Sequence, residues 1–269
     1  MATLRNNTPI GFFDSGVGGL TVLKEVKRLM PNENFIYFGD TLHVPYGDKT
    51  KEQLLEYSKD ILNFFEEKKC KAVVMACNTT SSTIYEDIKD KYYFKIYPIV
   101  QTVAEVLAKT SLQRLGIFAT PATINSGAYE KEIRKYNSEM QIYGQHCSEW
   151  VRIVENNTSE SAESIEIIKN DLNIMLKDNP QKIVLGCTHY PFLLPVLTKF
   201  APKELFIDPA VYFAHAINTD LAINGLTNDN SSEHTEEFYV SAEPEKFKNS
   251  AKMFYKINSE VKQLTFDTN

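Results

Sequence analysis

The sequence has no excess of positive charge and no long apolar run. Its 35 acidic residues outnumber its 29 basic ones, which gives a net charge of −6 and an isoelectric point of about 5.5. Nucleic acids and anionic membranes select basic surfaces, so we expect neither as a partner. No apolar run approaches the roughly 20 residues that cross a bilayer. The first residues also lack the apolar core of a signal peptide, and we expect a cytoplasmic protein.

Cysteine is scarce, and the common metal-binding spacings are missing. The chain of 269 residues contains four cysteines, Cys70, Cys77, Cys147 and Cys187. A chain of this length does not need disulfides to stabilise its core, so we expect free thiols in a reducing compartment. Neither C-x-x-C nor H-E-x-x-H occurs, and we expect no metal. A zinc site built from Cys77, Cys187 and His189 is the alternative.

Two of the cysteines occupy equivalent positions. The peptide Val74-Met75-Ala76-Cys77-Asn78-Thr79-Thr80 is echoed by Val184-Leu185-Gly186-Cys187-Thr188-His189-Tyr190. Each apolar run predicts a buried parallel strand, and the polar residues after it predict the start of a helix. The free N–H groups and positive dipole end of a helix favour a thiolate there. A single cysteine of this kind is more often inert packing, but Asn, Thr and His are poor core residues and suit a small polar ligand.

The pattern of strands and helices restarts near residue 100. Leu115-Gly116-Ile117-Phe118-Ala119-Thr120 mirrors Ile10-Gly11-Phe12-Phe13-Asp14-Ser15, at nearly the spacing of the two cysteines. Strands that alternate with amphipathic helices predict an α/β fold with mostly parallel sheets. We interpret the echo as a duplication: two similar α/β domains, related by a pseudo-twofold axis, with the active site in the cleft between them.

The duplication suggests domain boundaries. Residues 1–98 and 210–269 would form a first, discontinuous domain, and residues 99–209 the second. A final strand predicted over residues 238–241 and a final helix over residues 251–257 would return to the first domain.

A glycine-rich segment, Asp14-Ser15-Gly16-Val17-Gly18-Gly19, follows the first predicted strand. It is not G-x-G-x-x-G and lacks the lysine of a P-loop, so it gives little support for a nucleotide site. Asp14 and Ser15 could simply cap the next helix, or Asp14 could orient an ammonium group or polarise a thiol. His189, two residues beyond Cys187, can act as an acid or base near neutral pH.

Five motifs occur in order along the chain: Asp14-Ser15-Gly16-Val17-Gly18-Gly19, Tyr37-Phe38-Gly39-Asp40, Pro45-Tyr46-Gly47, Cys77-Asn78-Thr79 and Gly186-Cys187-Thr188-His189-Tyr190-Pro191. Together they resemble the bacterial glutamate racemases of the aspartate/glutamate racemase family. Asp208-Pro209 fits the region beyond, so the resemblance covers most of the chain. Aspartate racemases look similar around both cysteines, and aspartate or another amino acid is the alternative substrate. The Asp14-Ser15-Gly16 and Pro45-Tyr46-Gly47 segments favour glutamate.

The resemblance implies a cofactor-independent isomerase that interconverts L- and D-glutamate and supplies D-glutamate for peptidoglycan synthesis, and so for the cell wall and cell shape. One cysteine thiolate would remove the α-proton, and the other thiol would protonate the opposite face. Cys77 and Cys187 match these positions, with Cys187 acting on L-glutamate and Cys77 on D-glutamate. Asp14, Glu155 and His189 match the groups that assist the thiols.

The resemblance also implies which residues hold the substrate. These are Asp14, Ser15, Tyr46, Gly47, Asn78, Thr79, Thr120, Thr188 and His189. We expect a small-molecule substrate, no nucleic acid or membrane partner, no cofactor and a homodimer.

Two other classes of protein stay open. A thiol-dependent redox or zinc-binding protein would form a Cys77–Cys187 disulfide or hold a metal, although thiols on separate strand ends leave room for a substrate. A binding module on the same fold would take up a small ligand without racemising it.

Overall fold

The computed structural model describes residues 6–228 and 234–266. The outer ends of the first predicted domain, residues 1–5 and 267–269, lie outside this range. Across the described ranges, every helix is too short or too polar to span a bilayer.

The described chain alternates strands with helices. The strands are β1 Ile10–Asp14, β2 Phe35–Gly39, β3 Ala72–Met75, β4 Lys95–Pro98, β5 Arg114–Ala119, β6 Gln141–His146, β7 Lys182–Gly186, β8 Phe206–Ile207, β9 Glu236–Val240 and β10 Val261–Gln263. The helices are α1 Leu20–Leu29, α2 Lys51–Glu67, α3 Asn78–Ile88, α4 Ile99–Ala108, α5 Pro121–Asn125, α6 Ala128–Arg134, α7 Trp150–Glu155, α8 Ala162–Leu176, α9 Leu194–Leu197, α10 Pro209–Ile223 and α11 Pro244–Ala251.

The strands form two parallel sheets. The first has six strands in the order β10-β9-β2-β1-β3-β4, and the second has four in the order β6-β5-β7-β8. The run β2-β1-β3-β4 and the whole second sheet follow the same order, so the two halves share one topology. The α/β fold with mostly parallel sheets is therefore confirmed. The division into residues 1–98 with 210–269 and residues 99–209 stays a proposal.

The central strands place the motif residues at the carboxyl edges of the sheets. Strands β1 and β3 pair in the first sheet, and β5 and β7 pair in the second. Every residue of β1 and β3 is buried, as their continuous apolar sequences predict for parallel strands covered on both faces. Asp14 ends β1, and Cys187 directly follows β7. The echoed segments thus end on adjacent strands in each half.

One hydrophobic core runs through both halves. It includes Val22 of α1 and Phe213 of α10 together with Leu115 of β5 and Val184 of β7. Helix α10, which follows the second sheet in sequence, contacts α1, α4 and β7. These contacts pack the returning chain against both halves. The halves are therefore packed together as well as linked in sequence.

The predicted C-terminal helix is wrong. We expected it over residues 251–257, but α11 spans Pro244–Ala251. Pro244 fits the first turn of a helix, where its missing N–H is not needed, and this start fixes the earlier position. The sequence also gave no sign of β10, a short strand that pairs Val261 with Phe238 at the edge of the first sheet.

Candidate active site

A cavity of about 480 Å³ opens where the carboxyl edges of the two sheets meet, a volume suited to a small molecule. Eleven of the predicted site residues line it: Ser15, Tyr46, Gly47, Cys77, Asn78, Thr79, Thr120, Glu155, Cys187, Thr188 and His189. The twelfth, Asp14, is fully buried and contacts Thr188 beside the cavity. Both halves of the chain, and one cysteine from each, contribute to the walls.

Cys77 occupies the N-cap position of α3 and is almost fully buried. Burial raises the pKa of its thiol to about 12, with a contribution from the negative charge of Asp14, while the N–H and hydroxyl of Thr80 oppose the rise. The helix start does favour the thiolate through the Thr80 N–H, as the sequence predicts, but burial has the larger effect. Cys77 is therefore a protonated thiol at neutral pH.

Cys187 does not precede a regular helix, contrary to the sequence prediction. The chain forms a 3₁₀ turn over Tyr190–Leu193 and then the four-residue helix α9. Pro191 and Pro195 lie in these two short elements and cannot donate the backbone hydrogen bonds of a continuous α-helix. No regular helix therefore begins directly after Cys187, and the side chain that contacts its sulfur is His189.

His189 lies between the Cys187 thiol and the Glu155 carboxylate. Its Nδ1 atom is 3.8 Å from Cys187 Sγ, and its Nε2 atom is 3.3 Å from Glu155 Oε1. Burial alone would lower the pKa of His189, but its interactions with Cys187 and Glu155 outweigh burial and raise it to about 10. The imidazole is therefore protonated at neutral pH, and its positive charge lies next to the Cys187 sulfur.

Asp14 holds the glycine-rich turn and joins the halves. Its Oδ1 accepts a hydrogen bond from the Gly16 N–H at 3.0 Å, and its Oδ2 accepts from the Thr188 hydroxyl at 3.4 Å. Helix α1 has no side-chain cap, so Asp14 is not a simple N-cap residue. Burial raises the pKa of Asp14, although the charge of His189 and the hydrogen bonds it accepts oppose the rise.

Gly18 lets the second half approach the first. A Cβ atom at this position would lie 2.9 Å from the His189 ring and still closer to Thr188 Oγ1. Any side chain here would push the Cys187 loop away from the turn that holds Asp14. The glycine is therefore required by the close contact of the two halves.

Two further hydrogen bonds cross between the halves at the cavity wall. Thr79 Oγ1 lies 3.1 Å from Thr120 Oγ1, and Tyr129 donates from its hydroxyl to Asn78 Oδ1 at 2.9 Å. Asn78 Nδ2 is buried and has no hydrogen-bond partner within the described ranges. A buried amide N–H group without a partner is unfavourable, so this donor indicates a place for a ligand oxygen.

The Tyr46 hydroxyl forms a hydrogen bond with another side chain of the protein. It donates to Asp40 Oδ2 at 2.5 Å, and Ser241 donates to Asp40 Oδ1 at 2.7 Å. Tyr46 therefore offers the cavity its ring and backbone. The adjacent Gly47 lies against Thr120 of the second half.

Several residues of the cavity wall were not predicted from the sequence. These are Val44, Pro45, Asp48, Pro121, Ser148, Glu149, Val151 and Arg152. Val151 and Arg152 precede Glu155 on α7 by four and three residues, a spacing that places them on its face of the helix. That helical spacing is the signal that could have identified them. Arg152 bonds to Glu149 at the cavity mouth.

All four cysteines are free thiols. Among residues 6–228 and 234–266, no three His, Cys, Asp or Glu side chains are grouped so as to hold a metal ion.

The chain is similar to several known proteins in both sequence and structure. The profile of the family described as Asp/Glu/Hydantoin racemase matches residues 21–217. A glutamate racemase of Carboxydothermus hydrogenoformans is 38% identical over 251 residues, which cover 93% of this chain and 92% of the relative. That of Trichormus variabilis is 37% identical over 243 residues, 90% of this chain and 82% of the relative. The crystal structure of the Francisella tularensis glutamate racemase in complex with D-glutamate superimposes with a TM-score of 0.89 at 30% identity, covering 97% of this chain and 98% of that one.

Proposed function

The chain belongs to the Asp/Glu/hydantoin racemase family and is an amino-acid racemase; from this premise we propose that its substrate is glutamate and that two cysteines carry out the reaction without a cofactor. The relatives named glutamate racemase, and the similar structure that holds D-glutamate, support the substrate. The observation that carries the mechanism is one cavity lined by Cys77 from the first half and Cys187 from the second.

The environments of the two thiols suit opposite roles. Cys187 lies beside the protonated His189 and serves as the thiolate base, while burial keeps Cys77 protonated as the acid. Cys187 takes the Cα proton of L-glutamate and becomes a thiol. Cys77 then gives its proton to the opposite face of Cα and becomes a thiolate, and the product is D-glutamate. Conversion of D-glutamate reverses both transfers.

Asp14 and His189 return the thiols to their starting states. Asp14 acts electrostatically on Cys77, and His189 contacts Cys187, so each thiol has one buried titratable neighbour. After an L-to-D turnover Cys187 carries one proton too many and Cys77 one too few. His189 releases a proton to solvent and takes the proton of Cys187, while Asp14 gives its proton to Cys77 and takes another from solvent. Glu155 holds His189 in its charged form.

The cavity wall supplies donors for the carbanion intermediate. Removing a proton next to a carboxylate leaves negative charge that must be stabilised by fixed hydrogen bonds and by exclusion of water. The Asn78 amide and the Thr79 hydroxyl line the cavity and provide such donors. Thr188 also lines the cavity, with its hydroxyl donating to Asp14. Ser15, Tyr46, Gly47 and Thr120 complete the proposed substrate site.

Isotope labelling tests the two-thiol mechanism. L-glutamate is converted in D2O, the two enantiomers are separated at early times, and the deuterium content of each is measured by mass spectrometry. Because the delivering thiol has already exchanged with solvent, D-glutamate should carry deuterium at Cα from the first turnover, while the remaining L-glutamate stays largely unlabelled. A single base that carries the same proton across would give unlabelled D-glutamate, which would reject the mechanism.

A circular-dichroism assay with D- and L-glutamate tests the substrate, with L-aspartate as the comparison. Racemisation of aspartate in preference to glutamate would overturn the proposed substrate, and binding without racemisation would indicate a binding module.

The proposed role in peptidoglycan synthesis predicts that the chain restores growth of a bacterium that requires added D-glutamate. The proposed homodimer predicts a mass twice 30.7 kDa in solution.

A further inference from the structure

We propose that Tyr129 is a positioning residue that fixes the orientation of the Asn78 amide, so that the amide N–H groups and not its carbonyl oxygen serve the substrate carboxylate. The inference rests on the proposed function of the same cavity. It adds a residue outside the five sequence motifs and outside the cavity lining.

The contact between the two residues joins the two halves of the chain. Asn78 is the first residue of α3, directly after Cys77, and Tyr129 lies in α6. The Tyr129 hydroxyl donates to Asn78 Oδ1 at 2.9 Å, and both side chains are at least 96% buried. Within the described part of the chain, this is the only hydrogen bond of the Tyr129 hydroxyl.

The Tyr129 phenol can accept a hydrogen bond as well as donate one, but its buried proton needs an acceptor, and this need decides how the amide lies. Burial raises the pKa of Tyr129, so the group keeps its proton at neutral pH. If the Asn78 amide turned over, its Nδ2 would face the hydroxyl, and the phenol proton would lose its acceptor. Leaving a buried donor without an acceptor is unfavourable, so Tyr129 accepts only the orientation with Oδ1 towards it.

This orientation directs the free end of the amide. With Oδ1 occupied by Tyr129, Nδ2 is left as a donor without a protein partner in a residue that lines the cavity. Two N–H groups on Nδ2 attract a carboxylate oxygen, whereas the carbonyl oxygen in the same place would repel it. Tyr129 thus decides whether this part of the wall binds or rejects an anion.

The Tyr129→Phe variant tests the proposal because it removes the hydroxyl and keeps the ring. The Asn78 amide is then free to turn over, and the KM for glutamate should rise roughly three- to tenfold, the value of one net hydrogen bond. The kcat should fall as well, since the same N–H groups stabilise the negative charge that grows on the carboxylate as the carbanion forms. An unchanged KM would overturn the inference.

A double-mutant cycle separates positioning from general damage. In an Asn78→Ala background, Tyr129→Phe should change KM by less than twofold, because there is no amide left to orient. An equal loss in both backgrounds would show that Tyr129 acts by another route and would reject the proposal. If Asn78→Ala does not fold, as judged by far-UV circular dichroism, Asn78→Ser takes its place in the cycle.

Tyr97→Phe is the matched control. Tyr97 also donates a hydrogen bond between elements, to Asp220 Oδ2 at 2.6 Å, but it is not among the residues that line the cavity. Its KM for glutamate should equal that of the wild type. A wild-type protein that does not racemise glutamate defeats the proposed function itself, whereas an active wild type with an unaffected Tyr129→Phe variant defeats only this inference.

Discussion

His189 lies with its Nδ1 atom 3.8 Å from the sulfur of Cys187, so one thiol of the cavity has an acid–base partner in place before any substrate binds. The other thiol, Cys77, has no histidine neighbour of this kind among the described residues, and its charged neighbour is the buried Asp14. The two sides of the cavity are thus chemically different, although the proposed mechanism gives them the same transfer in opposite directions.

The His189→Asn variant should lose about 10²- to 10⁴-fold in kcat/KM, because a positioned acid–base group has been removed. The loss must be equal in both directions, since the equilibrium constant of a racemisation is one. The difference between the sides should appear in the kinetic isotope effect with glutamate deuterated at Cα. We expect the larger increase for the L enantiomer, from which Cys187 takes the proton. A larger increase for the D enantiomer would reverse the assignment of the thiols.

The Glu155→Gln variant should shift the alkaline limb of the pH profile to lower pH. Interactions with Cys187 and Glu155 raise the pKa of His189 to about 10 against the effect of burial, so removing the carboxylate charge lowers that pKa. His189 then loses its proton at a lower pH, and the thiolate of Cys187 loses its neighbouring charge. The measurement is kcat/KM from pH 6 to pH 11. Glu149→Gln, which alters a different contact of the same helix region, should leave the limb in place.

The Asp14→Asn variant should be less active but more stable at neutral pH. Burial raises the pKa of Asp14 above 3.8, so the protonated carboxyl favours the folded state. That contribution is fully present below the unfolded pKa and is lost as pH rises through the folded pKa. Asparagine keeps an acceptor for the Gly16 N–H without the buried charge. Thermal unfolding should give a higher Tm for the variant at pH 7, with the difference shrinking below pH 4; a lower Tm at pH 7 would contradict the argument.

Replacing either cavity cysteine by serine should lower kcat/KM by about 10²- to 10⁴-fold or more. A hydroxyl is a much weaker acid than a thiol, so almost none of it is ionised to act as a base near neutral pH. Cys70→Ser and Cys147→Ser are the controls. Both residues are buried away from the cavity lining, so activity per folded molecule should stay near the wild-type level. Cys70→Ser should lower the Tm, since it buries a hydroxyl in an apolar cluster. A Cys77→Ser or Cys187→Ser variant with near-normal rates would exclude two-thiol chemistry.

The Gly18→Ala variant should lose most activity while keeping its secondary structure. The added methyl group would overlap Thr188 Oγ1 and the His189 ring, which forces the Cys187 loop away from Asp14. Gly16→Ala is the control in the same turn, because its Cβ would meet only Val44 at an ordinary 3.9 Å. Steady-state kinetics of the two variants, with circular dichroism for folding, check the prediction. Equal activities would show that the close contact is unimportant.

Much of the fold could be predicted because its signals are local. The apolar run before Cys77 indicated a buried strand, and the echo before Cys187 indicated the same topology in the second half. The ionisation of Cys77 could not be predicted, because the sequence shows the helix start but not how completely other segments cover the thiol. Tyr129 was also missed, since its partner Asn78 is 51 residues away and the bond depends on how the halves pack.

Strand β9 fills the gap beside β2 with residues from the far end of the chain, pairing Phe35 with Glu236. A contact between such distant residues closes a long loop, which slows its formation. During synthesis the second sheet, built between Arg114 and Ile207, can be complete while β2 still presents an open edge. Open strand edges promote aggregation. A chain truncated before Glu236 should therefore retain its second sheet yet aggregate through the open β2 edge of its first sheet. The last strands thus protect the newly synthesised protein against aggregation.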